Sequence, residues 1–119
     1  MKLLLVACLI HISVLANAEN LVNLNAEISH LLSFIKTSGC TITRNGTAHE
    51  ASDAVDHIQK KYNYFKDEIN STEQFILLSA TKSTMSGKFY MVQCKENKSL
   101  KTQEWLLKEL DEYRGNAPT

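Results

Sequence analysis

Apolar positions recur at two different periods along this chain, and the switches between them divide it into elements. Leu24, Ile28, Leu31, Leu32 and Ile35 fall at i, i+4, i+7, i+8 and i+11, which is one face of a helix. Gly39 is placed to end that helix just before Cys40. Thr41-Ile42-Thr43 alternates as a short strand, and Asn45-Gly46 is the dipeptide most favoured in tight hairpins. A second helix follows, with Ala51, Ala54, Val55, Ile58, Tyr62 and Phe65 on one side. Ser71 opens a third, with Gln74 three residues on as a capping box. Phe75-Ile76-Leu77-Leu78 is apolar around the whole turn, which predicts that this helix is the central, most buried one. After Gly87 the period shortens to two: Tyr90, Val92 and Cys94 share one face and Phe89 and Met91 the other, so Lys88 to Cys94 reads as a strand. Thr102 can cap a last helix whose Trp105, Leu106, Leu110 and Tyr113 form a packing stripe. The pattern predicts a mainly α fold with a small antiparallel β element (α+β), about four helices packed on a short hairpin or strand pair.

The first eighteen residues carry a different signal. Leu3 to Leu15 is apolar except for His11 and Ser13, it follows the positive start Met1-Lys2, and Ala16-Asn17-Ala18 supplies small residues at the −3 and −1 positions of a cleavage site. Residues 1–18 are therefore expected to be a cleaved secretory signal peptide. The run is too short for a transmembrane segment. Leu5-Val6-Ala7-Cys8 has the residue types of a lipoprotein box, but lipidation at Cys8 would cut the apolar run in half, so the soluble form is preferred. Residues 19–114 are expected to form one globular helical domain, and Gly115 to Thr119 a flexible tail.

Export changes how composition is read. Cleavage leaves 119 − 18 = 101 residues, with 13 − 1 = 12 basic against 13 acidic side chains, a net charge of −1. That argues against nucleic acid as a partner. The charge is uneven: Lys82, Lys88, Lys95, Lys98 and Lys101 face only Glu96 between them, a local +4. Of three cysteines, Cys40 and Cys94 remain, and an even pair in an oxidising compartment is most simply a disulfide. A catalytic thiol would have to stay reduced there, and is set aside.

The succession Ser38-Gly39-Cys40, Arg44-Asn45-Gly46, Ala54-x-x-His57, Thr72-Glu73-x-Phe75-Ile76, Lys82-Ser83-x-x-Ser86-Gly87-Lys88-x-Tyr90, Cys94 and Trp105-Leu106 resembles a family of small exported bacterial proteins known only as a domain of unknown function. The resemblance covers about residues 28–114 and implies a periplasmic or secreted location. It brings no activity with it. The chain departs from the family at His49, where an aromatic residue closing the hairpin is expected. The bacterial location this resemblance implies also removes the sequons at Asn45, Asn70 and Asn97 from consideration as glycosylation sites.

Four groupings have chemical potential. His49, Asp53 and His57 fall at i, i+4 and i+8 with Asp56 nearby, a spacing that can hold zinc, but taken as one helix they form a solvated face, so no metal is expected. Ser79-Ala80-Thr81-Lys82 matches S-x-x-K without the partner motifs of that enzyme class. His57 with Ser83 or Ser86, and Asp53, would make a small hydrolase, the rival functional reading. Lys82-Ser83-Thr84-Met85-Ser86-Gly87-Lys88 offers two lysines, three hydroxyls and a glycine, a combination suited to an anion. With Arg44 and Lys60 it is expected to form a basic pocket, in which Lys82, Ser83, Ser86, Gly87 and Lys88 contact the ligand. The leading expectation is an exported, soluble, monomeric binding or adaptor module without a cofactor. Its partner would be an anionic small molecule, a phosphorylated lipid headgroup, an acidic glycan, a peptide carboxylate or another protein.

Overall fold

The computed structural model describes the backbone of residues 2–116 and the side chains of residues 20–115. The side chains of the expected signal peptide, and residues 117–119 of the expected tail, lie outside the described residues. Helix α1 (Lys2–Thr37) leads into strands β1 (Thr41–Arg44) and β2 (Thr47–Glu50), then α2 (Ala51–Phe65) and a 3₁₀ turn at Lys66–Glu68. Helix α3 (Thr72–Ser79), strands β3 (Met91–Gln93) and β4 (Leu100–Lys101), and helix α4 (Thr102–Asn116) complete the chain. Among the described residues the fold is α+β, with four helices on a four-stranded antiparallel sheet of order β2-β1-β3-β4. Strand β2 supplies the second arm of the expected hairpin, and β4 is absent from the pattern-based expectation because it is only two residues long.

The hairpin forms as its dipeptide predicts. Asn45 and Gly46 take φ of 51° and 79°, the paired left-handed conformation of a type I′ turn. Ile42 and Val92 face each other across β1 and β3 and are fully buried, so one sheet face closes on the helices. The same antiparallel register, carried one residue beyond Thr41↔Gln93, sets Cys40 opposite Cys94, and the two form a disulfide. Gly39 and Lys95, the residues flanking this pair, both have positive φ, so the backbone turns sharply away from the sheet on each side.

The core joins Ile28, Leu31 and Ile35 of α1, Ala54 and Ile58 of α2, Phe75 and Ile76 of α3, and Leu106 and Leu110 of α4. Aromatic pairs span the helices: Tyr62 meets Phe75 edge-on at 5.3 Å, and Phe34 meets Trp105 at 4.7 Å. Ser71 caps α3 by accepting from Gln74 N at 3.1 Å, while the Gln74 side chain turns back to Asn70 N at 2.6 Å. The capping box is thus closed one residue earlier than its usual form. Helix α3 is not buried all round: Leu77 is 52% exposed, since only one side of this two-turn helix meets the others. Thr102 begins α4, yet its hydroxyl has no hydrogen-bond partner among the described residues, so it does not cap the helix. Helix α4 also continues through Gly115, which had been expected to start the tail.

An ion cluster ties three helices together. Arg114 near the end of α4 donates to Glu27 of α1 at 2.8 and 3.0 Å and to Glu73 of α3 at 2.8 and 3.1 Å. Thr72 donates to Glu27 at 2.6 Å. The Arg114 hydrogen bonds hold both carboxyls below the ordinary carboxylate range. Their contribution is complete above the unfolded-state value and is lost as pH falls through the folded one. Arg114→Ala is expected to cost on the order of 1–2 kcal/mol at pH 7, a figure held down by the arginine's exposure. The loss should shrink on acidification below about pH 4. Urea titrations of both proteins across pH measure this, and equal stability at neutral pH would contradict it.

Candidate functional site

Helix α2 has two working faces. Ala51, Ala54 and Ile58 are buried. On the other side, His57, Lys60, Lys61 and Tyr64 are spaced i, i+3, i+4 and i+7, so they form one stripe. This stripe meets Arg44 and Asn45 from the hairpin and Ser83, Thr84, Met85 and Tyr90 from the segment after α3. The open cleft between them has a volume of about 520 Å³ and also includes Phe65. Four cationic or titratable basic side chains line it (Arg44, His57, Lys60 and Lys61), and no carboxylate does.

The segment over the cleft is a closed turn. Ser83 N donates to Lys88 O and Gly87 N to Ser83 O, each at 2.9 Å. Gly87 has φ of 74°, the left-handed conformation the turn needs. The Ser83 hydroxyl accepts from Ser86 N at 3.2 Å and from the Asn45 amide at 3.4 Å. The Ser86 hydroxyl donates to Asn45 Oδ1 at 2.6 Å and accepts from Lys88 N at 3.2 Å. The backbone amides of Ser83, Ser86, Gly87 and Lys88 are therefore all used inside the turn. Of the residues expected at an anion site, Arg44, Lys60, Ser83 and the candidate histidine His57 line the cleft. Lys82, Ser86, Gly87 and Lys88 are exposed and do not line it.

Lys61 joins the two walls. Its ammonium donates to Lys82 O at 2.8 Å and to the Tyr90 hydroxyl at 3.3 Å. His57 Nε2 lies 3.2 Å from the same hydroxyl. A lysine can only donate, so the consistent assignment has Tyr90 accepting from Lys61 and donating to a neutral His57. Burial, reinforced by Arg44, Lys61, His49 and Lys60, lowers the His57 pKa to about 4. Burial and then Arg44 also lower that of Lys61, and burial raises that of Tyr90. Arg44 Nε is buried with no partner among the described residues, and the Arg44 guanidinium approaches His49 Nδ1 at 3.5 Å. The site is thus a cationic cleft with no carboxylate among its lining residues.

Of the residues in the hydrolase reading, His57 and Ser83 line the cleft, and Ser86 and Asp53 do not. The partner of the His57 ring nitrogen is Tyr90, and no serine hydroxyl hydrogen-bonds to it among the described residues. The series His49, Asp53 and His57 is not one helical face, because His49 belongs to β2 and pairs with Ile42. Among the described residues no three His, Cys, Asp or Glu side chains converge as a metal site would require. Sequence reasoning missed Lys61, Tyr64, Phe65 and Tyr90. The signal for the first two was present in the second stripe of α2, which has the same period as the core stripe.

Residues 22–114 match the model of a family described as a family of unknown function (DUF5329). The chain belongs to this family. It is also similar to the uncharacterized protein YfeK of Salmonella typhimurium strain LT2, at 34% identity over 74 residues. That match covers 62% of this chain and 59% of the relative, so the chain spans about three fifths of the relative's length. No solved structure matches. All residues that line the cleft fall within the family region.

Proposed function

We propose that the chain is an exported binding module whose basic cleft captures an anionic ligand, with residues 1–18 serving as its export signal. The observation that carries this reading is the convergence of Arg44, His57, Lys60 and Lys61 on one cleft without a carboxylate among its lining residues. Packing like charges together raises the free energy of the empty site, and a bound anion relieves it. Arg44 is the principal ligand in this reading, because its guanidinium lines the cleft and can present paired donors to an anion. The Cys40–Cys94 disulfide is compatible with an oxidising compartment, and among the described residues no helix is long and apolar enough to cross a membrane. The rival hydrolase has no comparable support.

Sulfate is the probe, since it keeps its charge between pH 4 and 7. At low ionic strength sulfate is expected to bind and raise the melting temperature, and added sodium chloride should weaken it. Arg44→Glu should weaken binding at least about 30-fold, the loss typical of removing one partner from a desolvated charge pair. Lys88→Glu, outside the cleft, should change it by less than about twofold. In the free protein, His57 is deprotonated down to about 4, against an ordinary value of 6.5. The folded chain therefore binds fewer protons than the unfolded one in that window, and acidification costs it stability. A bound anion favours the imidazolium, so sulfate affinity should rise as pH falls from about 6.5 toward 4, and His57→Asn should flatten that rise. Absence of sulfate binding, or binding that survives Arg44→Glu but not Lys88→Glu, overturns the cleft as the site.

A further inference from the structure

We infer that the ligand of this cleft is a single-chain amphiphile, an anionic head group carrying an apolar tail, rather than a bare inorganic anion. The inference rests on the binding role proposed above and adds the chemical class of the ligand. The lining has two unlike parts. Arg44, Lys60 and Lys61 supply its positive charge, and Lys61 and His57 meet at the Tyr90 hydroxyl. Tyr64, Phe65 and Met85 form an uncharged wall, with Tyr64 and Phe65 following Lys60 and Lys61 one turn along α2.

The exposure of that wall is the decisive observation. Among the large apolar side chains of the described residues, the two most exposed are Met85 at 98% and Tyr64 at 81%, and both line this cleft. Neither position follows from a loose backbone. Tyr64 stands on α2 with its ring edge-on to Phe65 at 4.8 Å. Met85 stands on the turn that is closed by the Ser83, Ser86 and Asn45 hydrogen bonds. Apolar surface held beside a pocket is the usual sign of a ligand that covers it. Methionine, flexible and polarizable, suits a tail of no fixed shape. A volume of about 520 Å³ lies within the range of sites that enclose whole organic ligands, and a phosphate ion would occupy only a small part of it. The head group would sit against Arg44 and Lys61, with the tail running out between Tyr64 and Met85.

The test is calorimetric titration with inorganic phosphate, butyl phosphate and octyl phosphate, each kept monomeric, against the full chain and two variants. All three ligands should bind, and affinity should rise about fourfold for each methylene that leaves water. Tyr64→Ser and Met85→Gln, both at exposed positions and so compatible with folding, should each reduce the gain from butyl to octyl. The effect is read as the ratio of octyl phosphate to inorganic phosphate affinity in each protein. Phosphate binding with no gain from the alkyl chain overturns the amphiphile and leaves the anion-binding reading standing. Failure of all three ligands removes both. A gain that persists undiminished in both variants places the tail elsewhere and overturns the assignment. Sedimentation with vesicles containing phosphatidylglycerol supplies the last arm: retention on vesicles without binding of monomeric octyl phosphate would assign a membrane surface instead of a free ligand.

Discussion

Reduction of the Cys40–Cys94 disulfide is expected to destabilise the folded chain by about 4 kcal/mol. The two cysteines are 54 residues apart in sequence. Closing a loop of that length removes chain entropy from the unfolded state equivalent to about 4 kcal/mol at room temperature. The native geometry favours realising most of this, because the bond prolongs an existing strand register rather than pulling two elements together. For a domain whose total stability is about 5–15 kcal/mol, that loss is a large fraction. Urea unfolding of the oxidised protein and of a Cys40→Ser/Cys94→Ser variant measures it, with alkylation under non-reducing conditions confirming the bond by mass. A difference under about 1 kcal/mol would show that the loop is already restrained in the unfolded chain. The bond also fixes β1 beside β3, and hence Arg44 near Tyr90. Sulfate affinity should therefore fall in the double-serine variant even at temperatures where it remains folded.

Phe75→Ala is expected to cost about 3–5 kcal/mol, the range for removing a buried aromatic ring. Phe75 is wholly inaccessible and lies edge-on to Tyr62 between α3 and α2. The loss combines transfer of the ring with a cavity whose walls come from separate helices and cannot readily close. Phe75→Leu should recover much of it, since most of the volume is retained. Thermal and urea unfolding of both variants separates the two effects, and an alanine variant within about 1 kcal/mol of the parent would mean that the helices collapse onto the gap. Tyr62 is next to Lys61 in α2, so a loosened core face also loosens the face that presents the ammonium to Tyr90.

How much of this molecule could be foreseen depended on how locally each feature is determined. The stripe Ile28, Leu31, Ile35, the Asn45-Gly46 turn and the Ser71 cap involve neighbours in sequence, and each forms where its pattern places it. The cysteine pair needed only the compartment and the count. Strand β2 was legible only through its turn, because Thr47–Glu50 is mostly exposed, and β4 escaped because Leu100–Lys101 is two residues long, too little for a period of two to register. The sheet order follows from contacts between distant segments that no local pattern encodes. The candidate site was seen in part. A lysine-rich, serine-rich turn has the composition of an anion cradle, yet whether its amides face outward or close on themselves is a matter of backbone geometry, and here they close. Apart from Arg44 on β1, the basic side chains that converge come from the polar side of α2, which by composition alone is indistinguishable from an ordinary solvated face.

Asn45 has one further consequence. Its amide group meets Ser83 with one end and Ser86 with the other, so a single side chain at the tip of the hairpin latches the turn on the opposite wall. Surface loops ordinarily absorb insertions and deletions at little cost, each drifting in length without regard to the rest. These two cannot drift separately. One residue added beyond Gly46 or within Thr84–Ser86 would move the latch off its seat, so the lengths of the two turns are tied to each other across nearly forty positions of chain.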